Sequence, residues 1–413
     1  MTKSKRYNIL FLEVGFARGG SSNFLYHRIK LINRKLFNPV IAFYYENHGP
    51  DLKKLTQLSV PILHLISLNE WYKDFGSIHS SNEGKYHTFY LVKKFKTILK
   101  VIYELFIKIK LFIKIINTIH GYRIHLVVLN NDIHYHLPGI LAAKFCKRAC
   151  ICRKAGIGNG GIITRLFVPF VDLIFAISKA TEKDVLAYRA KPKKIFRMYE
   201  GISLSDYQLD KFQIYQTKIR ERFNILPDAI VIGTVSRLTP TKGHAELLKA
   251  ASLLLKEHNH LFFLIVGDDG HPSHRYLKTL EKQVEKLKLD NYVKFTGWYE
   301  NIPEILSIID IFVQNPNYPE GLGISILEAM AMAKPTVITN MGGLAETTLN
   351  NETGIIVSDY KPEHLADALE VLVKDRNRAQ SMGIKARKRI EAQFDLAKNS
   401  QKIDELFYNV ING

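Results

Sequence analysis

Short apolar runs alternate with helical patterns along the whole of the 413-residue chain. In the first half, these runs predict strands at residues 9–14, 39–44, 61–66, 125–129, 149–153, 173–177 and 194–199. In the second half, they predict strands at residues 230–235, 261–266, 292–295, 309–313, 336–338 and 354–357. Apolar strands separated by helices are typical of parallel sheets that are covered on both faces. The pattern therefore predicts an α/β fold with two Rossmann-like parallel-sheet domains.

The same pattern divides the chain into four parts. Residues 1–200 are predicted to form a basic N-terminal Rossmann-like domain, residues 201–228 a polar hinge, and residues 229–375 a C-terminal Rossmann-like domain. Charged amphipathic helices follow in residues 376–413, and we expect them to cross back to the N-terminal domain. Open parallel sheets bind ligands at the carboxyl ends of their strands, so two such domains predict a site in a central cleft.

Composition and charge narrow the classes of protein and partner. A chain that is 46% hydrophobic and 23% charged is globular. We find no signal peptide and no apolar run of transmembrane length, and we therefore expect a cytoplasmic protein. Residues 1–200 carry 33 lysines and arginines against 12 acidic residues, within a net charge of +19 for the whole chain. This half is predicted to meet an anionic partner: nucleic acid, a membrane surface or an acidic acceptor.

The three cysteines are an odd number in a long chain, which favours reduced thiols that pack around a strand. They are Cys146, Cys150 and Cys152. No histidine or cysteine pair lies at the spacing of a zinc site, so the sequence predicts no metal.

Two carboxylates, Glu320 and Glu328, lie eight residues apart on either side of a glycine-containing loop and a helix start. Residues 315–319 are typical of a loop, and residues 325–332 are typical of a helix. Because a helix N-terminus attracts anions, this arrangement suits a ligand with phosphates and sugar hydroxyls. The alternative is a surface acid beside a solvated helix glutamate.

A second loop follows the predicted strand at residues 230–235. Arg237 and Lys242 flank its turn, and a helix is predicted to begin near Gly243. Two cations beside a helix N-terminus would stabilise a bound and a departing diphosphate. The alternative is a pair of solvated loop charges.

Glycine turns follow two further strands. Gly19 and Gly20 precede a helix that Ser21 or Ser22 is expected to cap, and such glycines let the backbone approach a phosphate. A plain strand-to-helix turn is the alternative, since the dinucleotide fingerprint is absent. Glu346 follows the other turn and is expected to be a helix-start carboxylate rather than a catalyst.

In combination, these residues resemble the family 4 retaining glycosyltransferases, which have the GT-B fold. The matching segments are residues 236–243, 295–298, 310–313, 319–331 (the E-x7-E signature of the family) and 335–354. The resemblance extends from about residue 230 to the C-terminus and is looser over residues 1–200.

The resemblance implies roles for particular residues. Arg237 and Lys242 would hold the donor diphosphate, Glu320 would contact the sugar hydroxyls, and Glu328 would bind the ribose. The implied nucleotide-sugar site also includes Gly19, Gly20, Gly297, Leu322, Gly323 and Ile324. No metal and no cofactor beyond the nucleoside-diphosphate sugar is implied, because the two cations supply the charge stabilisation.

The N-terminal half departs from the family. Many members have a histidine after the strand that is here residues 149–153, and this chain has Arg153 and Lys154 there. His134 and His136 in the preceding loop are candidates for the sugar or acceptor side. A solvated or helix-capping histidine is the alternative for both. Residues 200–203 also differ from the family pattern.

We therefore expect a retaining transferase that moves a sugar to a lipid-linked, polysaccharide or glycolipid acceptor in cell-surface glycan biosynthesis. Residues 93–116 predict a long basic helix that either packs on the sheet or also touches an anionic membrane. Three alternatives remain: a GT-B epimerase that acts on the nucleotide sugar alone, a nucleic-acid-binding protein, and a nicotinamide dehydrogenase. The sequence shows no recognised nucleic-acid-binding module, and it lacks the dinucleotide fingerprint of a dehydrogenase.

Overall fold

The computed structural model describes residues 6–15, 20–46, 50–67, 89–158, 160–270 and 273–413. The chain forms two compact units. The first comprises Met1–Ala176, Glu182–Arg197 and Ser400–Gly413, and the second comprises Ile177–Thr181 and Met198–Asn399.

The first unit is built on a seven-stranded parallel sheet with the order β3-β2-β1-β4-β5-β6-β7. Its strands are β1 (Tyr7–Glu13), β2 (Phe37–Tyr45), β3 (Ile62–Ile66), β4 (Leu126–Leu129), β5 (Ala149–Lys154), β6 (Leu173–Ala176) and β7 (Ile195–Arg197).

The second unit is built on a six-stranded parallel sheet with the order β10-β9-β8-β11-β12-β13. Its strands are β8 (Ile230–Val235), β9 (Leu261–Val266), β10 (Val293–Gly297), β11 (Ile311–Gln314), β12 (Thr336–Thr339) and β13 (Gly354–Val357). All thirteen predicted strands are present, and the predicted α/β fold with two Rossmann-like sheets is confirmed.

Helices connect the strands of both sheets. Within the described residues they are α1 (Gly20–Leu31), α2 (Pro50–Thr56), α3 (Phe89–Gly121), α4 (Leu137–Phe145), α5 (Gly161–Phe167), α6 (Lys179–Ala187), α7 (Leu209–Gln213), α8 (Gln216–Arg222), α9 (His244–Leu254), α10 (Arg275–Leu287), α11 (Ile302–Ser307), α12 (Ile324–Ala331), α13 (Pro362–Lys374), α14 (Arg376–Gln393) and α15 (Leu396–Asn412). Because helices cover both faces, every side chain of β4 and β9 is buried.

Residues 201–228, predicted from their polar composition to be a hinge, fold as part of the second unit. They contain α7 and α8, and the buried side chains of Tyr207, Phe212, Ile219 and Phe223 anchor them. The lysines and glutamines that suggested a linker lie mostly on the outer face of these short helices. A few apolar residues at helical spacing thus outweigh the polar composition.

The last helix, α15, contributes residues 400–413 to the first unit. The guanidinium of Arg28 is fully buried and donates to Ser400 Oγ and to Asp404 Oδ1. The ring of Phe407 lies 5.0 Å from Arg28 Cζ, and the amide of Asn33 donates to Asp404 Oδ2 at 3.0 Å. Burial lowers the pKa of Arg28, whereas the Asp404 carboxylate opposes that shift. The ion pair therefore joins α1 to α15 inside the first unit.

We expect Asp404→Asn to lower the free energy of unfolding by about 3–5 kcal/mol, because it leaves the buried Arg28 charge uncompensated. Urea denaturation measures this loss. Lys374→Ala is the control, since it removes an exposed ion pair with Glu370, and such surface pairs contribute little to stability. Equal losses in the two variants would contradict the role assigned to Asp404.

Candidate functional site

The topology of the second sheet brings two distant loops together. β8 and β11 are neighbours, with Ile311 opposite Ile232 and Phe312 opposite Gly233. The strand order reverses at this point, so the connections on the two sides diverge and leave a crevice at the carboxyl ends of these strands. The loop after β8 and the loop after β11 border that crevice, and they carry the predicted cations and the predicted carboxylates.

The two loops touch at Gly243. This residue has φ 76° and precedes α9, and a Cβ atom on it would lie 1.9 Å from the carbonyl oxygen of Asn315. The side-chain amide of Asn315 in turn donates to the Gly243 carbonyl at 2.8 Å. Glycine is therefore required both by the backbone conformation and by the closeness of the neighbouring loop.

Lys242 and Glu320 form an ion pair across these loops, with Nζ 2.6 Å from Oε1. The other carboxylate oxygen of Glu320 accepts from Gln314 Nε2 at 3.2 Å, and Gln314 Oε1 accepts from Ser325 Oγ at 2.8 Å. Both charged side chains keep about a fifth of their surface exposed. The pair is thus held in place but remains accessible to a ligand. Arg237 lies two residues after β8 and is exposed.

The helix α12 begins directly after Glu320, Gly321, Leu322 and Gly323. Gly323 has φ 80° at the N-cap, and no side chain caps this end of the helix. Its first amide groups therefore lack a side-chain acceptor and are suited to an anion. Leu322 is buried and Ile324 is half-buried, so any ligand contact there would be made by the backbone, as predicted.

The loop after β12 contacts the backbone of Glu320 and Gly321. The amide of Gly343 donates to the Glu320 carbonyl at 2.7 Å, and a Cβ on Gly343 would lie 1.9 Å from the Gly321 carbonyl oxygen. Glu346, expected to act at a helix start, accepts at 2.8 Å from each of the amides of Lys179 and Ala180, the first two residues of α6. Glu346 thus has a structural partner and is not part of the Lys242–Glu320 pair.

Glu328 lies in the second turn of α12, and its side chain is buried. The hydroxyl of Tyr207 donates to its Oε1 at 2.7 Å. Burial raises the pKa of Glu328 to about 7, while the Tyr207 hydrogen bond partly counteracts the increase. Arg387 donates to the carbonyl oxygens of Tyr207 and Ala331, and so fixes Tyr207 against the end of α12. Sequence reasoning missed Tyr207 because its segment resembled a hinge.

Gly297 ends β10 with φ 69°, and its carbonyl accepts from the amide of Gly267 at 3.0 Å. A Cβ on Gly267 would lie 1.9 Å from the carbonyl oxygen of Ser236. Close backbone contacts therefore join the ends of β8, β9 and β10. Gly297 lies at the same sheet edge as the loop that carries Arg237 and Lys242.

His244, the first residue of α9, is a second buried residue that sequence reasoning missed. Its Nε2 lies 2.9 Å from Ser236 Oγ. Burial, together with the nearby charge of Lys242, lowers the pKa of His244 to about 4, so the ring is neutral at pH 7. A histidine directly after Lys242 and Gly243 was a signal in the sequence that a side chain could hydrogen-bond within this turn.

The corresponding edge of the first sheet is organised by Glu13, the last residue of β1. Its buried carboxylate accepts from the hydroxyl of Ser21 at 2.7 Å, from the amide of Val14 at 3.0 Å, and from the side chains of Asn130 and Asn131. Gly20 begins α1, and Gly19 lies outside the described residues. The hydroxyl of Ser21 thus contacts Glu13, not the helix end that it was predicted to cap.

Three of the four residues suggested for the sugar or acceptor side are buried and have partners within the first unit. Arg153 lies 4.4 Å from the ring of Phe24 and donates to the Asn130 carbonyl. Lys154 lies between Asp132 and Asp184, at 3.3 and 2.8 Å. Burial alone would lower the pKa of Lys154, but the two carboxylates together raise it above its ordinary value.

His136 is the third buried residue, and its Nδ1 lies 3.0 Å from the Tyr44 hydroxyl. Burial lowers the pKa of His136 to about 3, so it is a neutral interior residue rather than a solvated one. His134 is half-buried with its ring centroid 3.9 Å from that of Tyr135, and burial lowers its pKa as well. His134 is therefore the one residue of the four with a substantial exposed fraction.

Two groups of side chains in the described part of the chain bring three potential metal ligands within 4.8 Å of one another. They are Glu257, His258 and Glu370, and Asp268, Asp269 and His274. Neither group includes Lys242 or Glu320. Exposed acidic groups of this kind are common on proteins that bind no metal, so they do not alter the expectation for the site.

Comparisons with known proteins agree with the fold. Residues 215–389 match the model of the family described as glycosyl transferases group 1. The capsular polysaccharide biosynthesis glycosyltransferase CapM of Staphylococcus aureus is 28% identical over 227 residues, which cover 54% of this chain and 57% of CapM. A GDP-mannose-dependent alpha-(1-6)-phosphatidylinositol monomannoside mannosyltransferase of Mycobacterium tuberculosis is 32% identical over 187 residues. These residues cover 43% of this chain and 47% of the mannosyltransferase. The chain thus spans about half the length of these curated relatives.

Solved structures share the arrangement over nearly the whole chain. HepE of Anabaena in complex with UDP-glucose has a TM-score of 0.78 at 20% identity, covering 97% of this chain and 99% of its own. A glycosyltransferase of Rickettsia africae has a TM-score of 0.78 at 20% identity and covers 99% of both chains. At this level of identity the likeness shows the fold, which is GT-B.

Glu328→Gln is expected to raise the free energy of unfolding at about pH 8 by up to about 3 kcal/mol, because the buried carboxyl titrates near 7 instead of 4.5. The folded state holds this proton more tightly than the unfolded state does. The wild type therefore loses the stability that this bound proton contributes as the pH rises from about 4.5 through 7. The free energies of unfolding of the two proteins converge below about pH 4.5.

Urea titrations across this pH range measure the difference, with Glu281→Gln on the exposed side of α10 as the matched control. Tyr207→Phe should lose stability at a higher pH than the wild type does. The Tyr207 hydroxyl lowers the pKa of Glu328, so its removal raises that pKa. A pH-independent effect of Glu328→Gln would contradict the raised pKa of this buried carboxyl.

Proposed function

We propose that this protein transfers a sugar from a nucleoside-diphosphate sugar to a glycan or lipid-linked acceptor, starting from the match of residues 215–389 to the model of the glycosyl transferases group 1 family. The single observation that carries the proposal is the Lys242–Glu320 pair at the carboxyl ends of β8 and β11. A cation suited to phosphate and a carboxylate suited to sugar hydroxyls meet there, and the start of α12, which no side chain caps, follows in the same loop.

In the proposed mechanism, Lys242 and Arg237 bind the diphosphate and stabilise the charge that builds up as it departs. Lys242 already lies in the fixed loop between Thr239 and Gly243, so little reorganisation is needed when the charge develops. This cationic stabilisation supports transfer without a divalent metal. Activity that survives thorough removal of divalent ions with a chelator would agree with this part of the proposal.

Glu320 keeps its hydrogen bond from Gln314 when a diphosphate shares Lys242, so it remains directed at the sugar. We propose that the acceptor attacks on the face from which the phosphate departs, and that the departing phosphate takes the acceptor proton. The anomeric configuration is then retained, and no side chain has to act as the base. Glu328 is proposed to bind the ribose through the oxygen that Tyr207 does not occupy.

The relatives support a role in cell-surface glycan synthesis, such as capsular polysaccharide or lipopolysaccharide. CapM is named for capsular polysaccharide biosynthesis, and the mycobacterial relative is named for transfer from GDP-mannose to a phosphatidylinositol mannoside. HepE is a structural neighbour with UDP-glucose bound. We therefore propose UDP or GDP as the nucleotide of the donor, with the second unit binding it and the first unit binding the acceptor.

We expect the protein to bind a nucleoside diphosphate in a calorimetric screen of UDP, GDP and their sugars, and to release a product with retained configuration. Product NMR determines the configuration, and incubation without an acceptor distinguishes transfer from epimerisation. Absence of binding to every nucleoside diphosphate would refute the proposal as a whole. An inverted product would refute only the retaining mechanism.

Lys242→Ala and Arg237→Ala are each expected to lower kcat by about 100-fold or more, as is usual when a group that stabilises developing charge is removed. Their free energy of unfolding should fall by less than about 1 kcal/mol, because partly exposed loop charges contribute little to stability. The control is Lys249→Ala, an exposed lysine on α9 just beyond the turn. A wild-type rate in either site variant would disprove the diphosphate role of that residue.

A further inference from the structure

The long helix α3 is apolar on two opposite faces. Ile107, Leu111, Ile115 and Ile119 recur every four residues and are buried in the core of the first unit. The other face carries Ile102, Leu105, Phe106, Ile109 and Ile113, and each of these side chains has more than half of its surface exposed. A helix at a protein surface normally carries polar residues on the face opposite its buried apolar stripe. The outer face of α3 is therefore suited to an additional contact.

The exposed apolar side chains continue onto the neighbouring elements. Helix α3 packs on α4, where the ring of Phe145 meets that of Phe112 at 5.9 Å and is itself 69% exposed. Helix α4 packs on the turn Val168–Phe170, and that turn packs on α5. We call the following set the outer apolar surface: Ile102, Leu105, Phe106, Ile109, Ile113, Leu141, Phe145, Ile162, Ile163, Leu166 and Phe170.

Single exposed apolar residues are ordinary, but many of them on elements that pack side by side indicate an interaction site. Exposed cations accompany the outer apolar surface: Lys108 on α3, Lys147 and Arg148 just after Phe145, and Arg165 on α5. Glu104 is the exposed acid on the same part of α3. The mixture of apolar and cationic side chains is characteristic of contact with the headgroup region of an anionic membrane.

We propose that the outer apolar surface inserts into the interface of an anionic bilayer, with the neighbouring lysines and arginines on the lipid headgroups. The inference extends the proposed function, on which it rests, by assigning the membrane as the place where the first unit meets a lipid-linked acceptor. In the described residues, no helix has both the length and the apolar content that crossing a membrane requires. The contact is therefore peripheral.

A bilayer fits this surface better than a second copy of the chain does. A symmetric dimer through the outer apolar surface would bring the cations of one copy against those of the other, which is unfavourable. The excess of 33 basic over 12 acidic residues in the first 200 residues adds to that repulsion. An anionic lipid surface instead satisfies both the charge and the apolar side chains.

Flotation of the full-length protein with vesicles tests the proposal. We expect binding to phosphatidylcholine vesicles that contain phosphatidylglycerol, and weaker binding to phosphatidylcholine alone. Phe106→Ser combined with Ile109→Ser should weaken binding to the anionic vesicles by about tenfold or more, since each side chain loses its transfer from water. Lys108→Gln combined with Arg165→Gln should weaken it by about tenfold as well, and should reduce the preference for anionic lipid.

Ile214→Ser combined with Leu226→Ser is the matched control, because these side chains are equally exposed but lie in the second unit. It should bind vesicles as the wild type does. Phe106→Trp should show a blue-shifted emission with anionic vesicles and quenching by lipids brominated in the acyl chain, whereas Ile214→Trp should not. The wild type, with its two tryptophans, provides the background spectrum.

The proposal is overturned if the wild type fails to bind anionic vesicles, or if the Phe106 and Ile109 double variant binds as tightly as the wild type. It is also overturned if sedimentation velocity shows a dimer that this double variant dissociates while neither protein binds vesicles. Nucleotide binding is measured in parallel on the same variants and should be unchanged. Its absence alongside intact vesicle binding would refute the proposed function and leave the membrane contact standing.

Discussion

The candidate site depends on the pairing of β8 with β11. These strands are separated by two further strands in sequence but are neighbours in the sheet, so the loops that follow them meet at one edge. Gly243 and Asn315 lie so close there that a side chain on the glycine would overlap the neighbouring backbone. With the backbones fixed in this way, the Lys242 ammonium and the Glu320 carboxylate are held 2.6 Å apart. The charge arrangement at the site thus follows from sheet topology.

The two units organise their strand ends by different means. In the first unit, buried polar groups such as Glu13 and Lys154 are satisfied internally by hydrogen bonds and by opposite charges. In the second unit, glycines allow close backbone contacts, and the charged side chains remain partly exposed at the edge. The first arrangement gives a rigid frame with few reactive groups. The second leaves charges available to a ligand, which agrees with the division of roles proposed for the two units.

The strands and their parallel order could be predicted because burial on both sides leaves a local mark, a run of apolar residues that ends in a polar loop. The loops of the site could be located because parallel strands present their carboxyl ends together. Which side chains contact each other could not be predicted, because the partners are far apart in sequence. Tyr207 and Glu328 are separated by 121 residues, and Lys242 and Glu320 by 78. His136, just before α4, is buried against Tyr44, which lies on β2. Likewise, the sequence predicted a long basic helix at α3, but not which of its apolar side chains the core would leave uncovered.

The return of α15 to the first unit has a consequence for synthesis on the ribosome. Arg28 and Phe11 emerge early, whereas their partners Asp404 and Phe407 emerge almost 400 residues later. The second unit is complete at Asn399, before those partners leave the exit tunnel. The unit that is translated first is therefore finished last. Until then, the basic first half of the nascent chain lacks the helix that supplies the partners of Arg28 and Phe11.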